Sequence, residues 1–113
     1  MNNYEYETKT TKKYKRDYKY IEKDTSGKYD MEKLEYFIEI LKQGKPLPKE
    51  AKDHKLSGKY TKNNERECHL GPDFLLRYSI DKKSGILYLI STGDHRRVLG
   101  IEAFDMIKSY YDL

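Results

Sequence analysis

The three histidines of this 113-residue chain are the residues whose type and position most readily suggest chemistry. Each lies beside an expected turn or strand end: His54 before a Lys-Leu-Ser-Gly stretch, His69 before Leu-Gly-Pro, and His95 after Thr-Gly-Asp. An imidazole titrates near neutral pH and both gives and takes protons, so several on one sheet edge would form an acid/base site. Scattered, solvated loop histidines would show the same spacing, so the spacing alone leaves both interpretations open.

Metal or thiol chemistry has weaker support. The possible zinc ligands are His54, Cys68, His69 and His95. The sequence has no CxxC or HExxH motif, and the adjacent Cys68 and His69 would point to opposite faces of a strand. A lone cysteine is more often a small buried hydrophobic residue than a nucleophile, and it suits a reducing compartment. We therefore expect no metal and no cofactor.

The composition is that of a basic, highly charged single domain spanning residues 1–113. Lys and Arg total 23 against 19 acidic residues, which gives a net charge of +4 and mildly favours an anionic partner. Charged residues make up 37% of the chain, so its 12 tyrosines must supply much of the core. The sequence has neither a signal pattern nor an apolar run of about 18 residues, which predicts a cytoplasmic protein that binds no membrane.

Two helices are expected to position these residues from the N-terminal side. Tyr4 and Tyr6 alternate with acidic residues as in a short edge strand, and a helical stripe follows at Tyr14, Tyr18 and Ile21. A flexible basic tail would explain the same first 29 residues. Asp30 is positioned to cap a second helix. Its apolar face comprises Met31, Leu34, Phe37, Ile38 and Leu41, and Gly44, Pro46 and Pro48 end it.

The second half of the chain has the pattern of an antiparallel sheet. Short strands are expected at 56–60 and 67–70, followed by stronger ones at 74–80 and 86–92, the last of which is the least polar and should lie centrally. Residues 81–85 form the hairpin loop between the last two strands. A terminal helix is predicted within 101–113, with Ile101, Phe104, Ile107 and Tyr111 on one face. The fold class is α+β, in layers.

Several short motifs occur in an order and spacing that resemble a known family. They are Leu47-Pro48, Asp53-His54-Lys55-Leu56-Ser57-Gly58, Arg66-Glu67-Cys68-His69-Leu70-Gly71-Pro72-Asp73-Phe74-Leu75-Leu76-Arg77-Tyr78, and Thr92-Gly93-Asp94-His95. Together they resemble the YafQ branch of the RelE-like bacterial toxins, from about residue 30 to residue 100. The resemblance implies two helices against a curved antiparallel sheet of about four strands. It also implies a ribosome-dependent endoribonuclease that cuts mRNA in the A site.

Position by position, the resemblance places the catalytic residues of the family on His54, His69, Asp73 and His95. The implied reaction is attack of a ribose 2′-hydroxyl on the adjacent phosphate, which requires no metal. It does require a base, an acid and stabilisation of the phosphate oxygens. We expect Asp73 or His54 to be the base and His95 the acid. His69, with Arg77 or Arg96, would hold the phosphate.

Further residues are expected to contact RNA. Arg96 and Arg97 lie beside the last histidine, while Phe74 and Leu99 occupy positions that are usually aromatic in this branch. Phe74 can still stack on a base or can pack in the core, whereas Leu99 cannot stack. Family members commonly end near the position of Gly100, so the 101–113 tail is an addition.

The resemblance also implies partners. These are an acidic DinJ-like antitoxin, in a hetero-oligomer with a chain that is monomeric when free, and the 70S ribosome with its mRNA. The basic face of the first helix would suit ribosomal RNA or be a solvated surface. Two alternatives remain: a catalytically weak RelE-like fold that binds antitoxin or ribosome, and a ribosome-independent RNase.

Overall fold

The computed structural model describes residues 5–58 and 63–100, which form an α+β fold. The helices are α1 (Lys12–Glu22), α2 (Met31–Lys42) and the short α3 (His95–Leu99), with a 3₁₀ turn at Lys49–Ala51. The strands are β1 (Glu7–Thr10), β2 (His54–Lys55), β3 (Arg66–Gly71), β4 (Phe74–Asp81) and β5 (Ile86–Gly93). Within the described ranges, no helix has the length and apolar character needed to cross a membrane.

Both expected N-terminal helices are confirmed, and each begins at a capping side chain. The Thr11 hydroxyl accepts a hydrogen bond from the Tyr14 N–H at the start of α1. The Asp30 carboxylate accepts one from the Lys33 N–H at the start of α2. These side chains satisfy backbone donors that have no partner within the helix. The first helix is therefore an ordered part of the fold, and the flexible-tail alternative is wrong for residues 12–22.

Among the described residues the sheet has five strands in the order β1-β5-β4-β3-β2, one more than the expected number of about four. Its four later strands are antiparallel as expected, but β1 pairs in parallel with β5. Backbone bonds fix this edge, with the Glu7 N–H donating to the Gly85 carbonyl and the Thr11 N–H to the Leu89 carbonyl. Because backbone atoms make these bonds, the side-chain pattern of β1 does not indicate its parallel pairing with β5. The strand expected to be central, β5, lies between β1 and β4, and the middle strand of the sheet is β4.

Other boundaries also differ from expectation. Of the strand expected at 56–60, residues 59–60 lie outside the described residues, and residues 56–58 are not in a strand. The pairing with β3 is made earlier, by His54–Lys55, and the Leu56 N–H then donates to the Glu65 carbonyl. The edge strand expected around Tyr4 and Tyr6 begins at Glu7. Helix α3 was not expected, although Asp94 caps it by accepting from the Arg97 N–H. The helix predicted within 101–113 lies outside the described residues.

The sheet separates two apolar clusters, one on each face. The candidate site residues of β3 lie on one of these faces. Cys68 and Leu76 belong to the main core with α1 and α2, whereas Leu75 packs with Val98 and Leu99 of α3. Successive strand side chains point to opposite faces, so Glu67 and His69 lie on the face away from Cys68. As expected for a tyrosine-rich core, Tyr14 and Tyr78 are buried. The Tyr78 hydroxyl donates to Asp53 at 2.6 Å.

Candidate active site

Three separate elements bring the histidines into one row. His54 comes from β2, His69 from the neighbouring strand β3, and His95 from the first residue of α3. The ring centroids of His54 and His69 lie 6.2 Å apart, and those of His69 and His95 lie 5.8 Å apart. His69 is therefore the middle ring. The structure supports the interpretation of a single cluster over that of three scattered histidines.

A buried carboxylate, Glu67, lies beside two of these rings. Its Oε1 is 3.8 Å from Nε2 of His54 and 3.5 Å from Nε2 of His69, and the side chain is only 5% exposed. Among the described residues its Oε2 has no hydrogen-bond partner. Burial raises the pKa of Glu67, against the opposing effect of the nearby cations. Sequence reasoning missed Glu67, although its position two residues before His69 on one strand places both on the same face.

A backbone carbonyl determines the orientation of His54. Nδ1 of His54 lies 2.7 Å from the Lys52 carbonyl oxygen, which can only accept, so Nδ1 carries the hydrogen. Lys52 has a left-handed backbone (φ 49°), which ends the 3₁₀ turn before β2. In the neutral ring, Nε2 therefore carries the lone pair, and the ring is exposed enough to meet a ligand. His54 has the arrangement expected of a base.

His69 is held largely neutral by its surroundings. Burial lowers its pKa, and the nearby rings of His95 and His54 lower it further, because a second positive charge beside them is unfavourable. At neutral pH the ring therefore donates one N–H hydrogen bond without carrying charge. That property suits a group placed between an acid and a base.

His95 is fixed by Asp73 through two hydrogen bonds. Oδ1 of Asp73 accepts from the His95 backbone N–H at 2.8 Å and from its Nδ1 at 2.6 Å, while Lys28 donates to Oδ2 at 3.0 Å. Partial burial acts to raise the pKa of Asp73, but these hydrogen bonds outweigh it and lower the pKa. Asp73 is thus an ionised acceptor, which leaves Nε2 of His95 as the nitrogen available for proton transfer.

Arg77 and Arg97, both expected to contact RNA, form ion pairs within the fold. The Arg77 guanidinium pairs with Glu65 at 2.9 Å and donates to the Val98 carbonyl. Arg97 pairs with Asp17 at 3.1 Å and stacks over the Tyr20 ring at 3.8 Å.

These contacts join β4 and α1 to α3, the helix that carries His95. Both arginines therefore help to fix the position of His95. Arg96 is exposed on α3 next to His95.

The two side chains at the usually aromatic positions are buried in the fold. Phe74 is 1% exposed and contacts Tyr29 edge-on in the main core, because it lies on the Leu76 face of β4. Leu99 packs in the smaller cluster with Leu75. A buried side chain offers no surface for base stacking, so the burial of both residues argues against the RNA contact expected of them. Core packing, the alternative for Phe74, is what the structure shows.

This burial predicts the effect of substituting Phe74. The change Phe74→Leu should lower the free energy of unfolding by about 1 kcal/mol through lost core packing. For the RNA cleavage that the resemblance implies, the pattern should stay as in the wild type. Chemical denaturation and mapping of cleavage ends measure the two effects, with the exposed Tyr36→Leu on α2 as the control. An altered base preference at unchanged stability would show that Phe74 contacts RNA.

The same face holds a possible set of metal ligands, which the sequence did not lead us to expect. One donor atom from each of His54, Glu67 and His69 lies within 4.8 Å of the others. Two imidazole nitrogens and a carboxylate suit zinc or copper. The Lys52 carbonyl on Nδ1 of His54 orients the ring as it would in a metal site, and Oε1 of the buried Glu67 carboxylate faces both rings. The residues present therefore fit such an ion.

Comparisons with known proteins identify a family with this fold. The family profile described as "Bacterial toxin of type II toxin-antitoxin system, YafQ" matches residues 6–100. A metal-bound toxin from Helicobacter pylori is 34% identical, with a TM-score of 0.73, and the match covers 82% of this chain and 98% of that one. A comparison with curated protein sequences gives no match.

Two Escherichia coli structures are also similar. YafQ in its complex with DinJ is 31% identical over 85% of this chain and 99% of that one, with a TM-score of 0.72. A histidine-to-glutamine variant of YafQ is 28% identical over 84% and 99%, also with a TM-score of 0.72. The profile match covers most of the chain, and the solved structures share its fold over nearly their whole length. The chain therefore belongs to the YafQ family of toxins from bacterial type II toxin–antitoxin systems.

Proposed function

We propose that this toxin is a ribosome-dependent endoribonuclease that cuts mRNA in the ribosomal A site and so inhibits translation. The observation that carries the proposal is the row of three imidazoles, with Asp73 bonded to one end and buried Glu67 beside the other. Such a row supplies an acid, a base and a neutral donor between them. Those are the requirements for cleaving RNA with its own 2′-hydroxyl as the nucleophile.

His54 is the base in this proposal. Its Nε2 takes the proton from the 2′-hydroxyl, and the 2′-oxygen then attacks the adjacent phosphorus. The ring becomes an imidazolium, which the Glu67 carboxylate at 3.8 Å stabilises. Glu67 is too buried to meet the substrate and acts through the imidazoles. Asp73, our other candidate base, is less suitable because its lowered pKa makes it a weak base and both its oxygens already accept hydrogen bonds.

His95 is the acid. As the bond from phosphorus to the 5′-oxygen breaks, Nε2 of the protonated His95 gives its proton to that oxygen. The products are a 2′,3′-cyclic phosphate and a free 5′-hydroxyl, with no net consumption of water. Asp73 holds Nδ1–H and stabilises the protonated ring before transfer. His54 and His95 lie on either side of His69. Nε2 of His54 and Nε2 of His95 can therefore act on opposite sides of the bound phosphate.

His69 and Arg96 serve the phosphate. A neutral His69 between the acid and the base can donate a hydrogen bond to a non-bridging oxygen without competing for the transferred proton. Arg96 is exposed beside His95, where its positive charge stabilises the negative charge that builds up on the phosphate oxygens in the transition state. Arg77 supports these groups structurally through Glu65.

The partners of the proposed function are the 70S ribosome with its mRNA, and an acidic antitoxin. Exposed basic side chains on one helix suit a ribosomal RNA surface; those on α1 are Lys12, Lys15, Arg16 and Lys19. The similar E. coli toxin is solved in complex with DinJ, which supports a DinJ-like antitoxin for this chain. Such an antitoxin would convert a free monomer into a hetero-oligomer.

Cleavage on translating ribosomes tests the proposal. Purified toxin is added to ribosomes stalled on a defined mRNA, and the ends are mapped by primer extension. Cleavage should occur at the A-site codon, at least about a hundredfold faster than on naked RNA, because the ribosome orients the substrate. The downstream fragment should accept phosphate from a polynucleotide kinase without phosphatase treatment, since it carries a 5′-hydroxyl.

The two alternatives give different results in the same assay. Comparable cleavage of naked RNA would identify a ribosome-independent RNase. Binding to ribosomes or to a co-encoded acidic protein without detectable cleavage would identify a catalytically weak binding module. Products bearing a 5′-phosphate would contradict the proposed chemistry even if cleavage occurs.

Metal ions give a further expected result. Because the proposed reaction uses only side chains, EDTA should leave the ribosomal cleavage rate unchanged once Mg²⁺ is restored to keep the ribosomes intact. A slight molar excess of Zn²⁺ should slow cleavage by about tenfold or more, since a cation on His54, Glu67 and His69 occupies the lone pair of the base. The H. pylori relative is itself a metal-bound toxin, which supports testing this set. Loss of cleavage in EDTA that Zn²⁺ restores would contradict a metal-independent mechanism.

A further inference from the structure

The loop between α1 and α2 brings a lysine to the active site. Asp24 accepts hydrogen bonds from the backbone N–H and the hydroxyl of Ser26, and the Ser26 hydroxyl accepts from the Lys28 N–H at 3.2 Å. Gly27 has a φ of +87°, a conformation that side chains disfavour. Local bonds and this glycine therefore give the loop a defined course, which directs Lys28 toward the turn between β3 and β4.

Lys28 contacts both carboxylates that flank His95. Its Nζ lies 3.0 Å from Oδ2 of Asp73 and 3.8 Å from Oδ2 of Asp94. Asp73 uses its other oxygen to hold His95, and Asp94 caps the helix that begins at His95. A single ammonium thus lies between two anions that together fix the ring and backbone of one histidine. Without it, both carboxylates would lose a nearby cation that offsets their negative charge.

Tyr29 secures the loop beside this contact. Its ring meets Phe74 edge-on, with centroids 5.0 Å apart and an interplanar angle of 84°. Consecutive residues of the loop, Lys28 and Tyr29, therefore contact consecutive residues of the turn, Asp73 and Phe74. One contact is ionic and the other is apolar. The apolar one keeps the loop in place when the charge is removed, which allows the ionic contact to be tested alone.

We propose that Lys28 is a positioning residue for His95: it holds Asp73 in the orientation whose Oδ1 accepts from the Nδ1–H of the ring. The Lys28 side chain is 36% exposed, and ion pairs at such positions contribute little to stability. Lys28 therefore acts on the orientation of Asp73 and His95 rather than on the stability of the fold. The kinetic consequence rests on the proposed nuclease function, whereas the state of the His95 ring can be measured without it.

The kinetic experiment compares two substitutions on stalled ribosomes. Lys28→Met removes the charge and keeps the length, and should lower kcat about tenfold while KM changes less than twofold. Lys28→Arg keeps the cation and should restore most of the rate. Lys23→Met, an exposed lysine at the end of α1, gives the same change in net charge and should leave the rate unchanged. A raised KM at unchanged kcat would instead identify Lys28 as a substrate contact and overturn the proposal.

The second measurement is the ¹⁵N spectrum of the His95 imidazole in the free toxin. Wild type and Lys28→Arg should show Nδ1 protonated in the neutral ring, and Lys28→Met should show a mixture of tautomers. An unchanged His95 spectrum in Lys28→Met would overturn the proposal even if its cleavage is slow. If the wild type cleaves no RNA, the proposed function fails, and the tautomer result still decides the role of Lys28.

Discussion

Replacing His95 with alanine is expected to slow the proposed ribosomal mRNA cleavage by about a thousandfold, the usual loss when a general acid is removed. The leaving 5′-oxygen then has no proton donor, because Asp73 is ionised and His69 tends to be neutral. The imidazole makes its bonds to Asp73 at the surface of the fold, so stability should change by less than about 1 kcal/mol. Single-turnover cleavage and chemical denaturation measure the two effects.

The matching control is Tyr36→Ala, which removes an exposed ring from α2 and should preserve the wild-type cleavage rate. A substrate with a good leaving group at the 5′-oxygen should recover most of the rate lost in His95→Ala, since it needs no acid. If the alanine variant cuts its normal substrate within threefold of the wild type, His95 is not the acid. If the activated substrate gives no recovery, the histidine acts at another step.

The local pattern was sufficient to predict the elements whose side chains carry a strong signal. Helix α2 shows an Asp30 cap and an apolar stripe, and β4 and β5 are apolar runs around a hairpin loop, so each was predicted from its own residues. Strand β1 has an exposed, polar sequence and is held by backbone pairing with β5. Its parallel direction depends on where the chain returns, which no local pattern records.

The candidate site was only partly predictable for a related reason. The motifs identified His54, His69, Asp73 and His95, and the structure brings all four together. They did not identify Glu67, because a strand carboxylate looks the same in sequence whether it is solvated or 5% exposed.

Lys28 was missed because it is 45 residues from its partner Asp73 in sequence. The burial of Phe74 and Leu99 could not be predicted from the motifs, because neighbouring positions in a motif can point into opposite layers.

A buried aspartate, Asp17, joins the helix α1 to the elements that carry His95. Its carboxylate accepts hydrogen bonds from the Ser91 hydroxyl at 2.6 Å and the Thr92 N–H at 3.2 Å, both on β5. Lys13 and Arg97 each approach it at 3.1 Å. Lys13 also donates to the Arg97 carbonyl at 2.7 Å, which ties α1 to α3. Only 2% of the Asp17 side chain is exposed, so the loss of any of its partners would leave a buried charge poorly compensated.

The change Asp17→Ala is therefore expected to lower the free energy of unfolding by about 3 kcal/mol. Breaking a buried ion pair typically costs about 3–5 kcal/mol, and the lower end applies because Lys13 and Arg97 remain partly exposed and can be resolvated. The Ser91 hydroxyl and Thr92 N–H would also lose an acceptor. Denaturant titration at several salt concentrations measures the loss, which salt should change little because the site is buried.

Glu22→Ala is the control, since it removes an exposed acidic residue from the same helix and should change stability by less than about 0.5 kcal/mol. Asp17→Asn keeps an oxygen acceptor for Ser91 and Thr92 but not the charge, so it should lose less than the alanine variant. The difference between the two substitutions then measures the ionic part of the contact. If Asp17→Ala and Glu22→Ala have the same stability, the buried carboxylate does not hold α1 to β5 and α3.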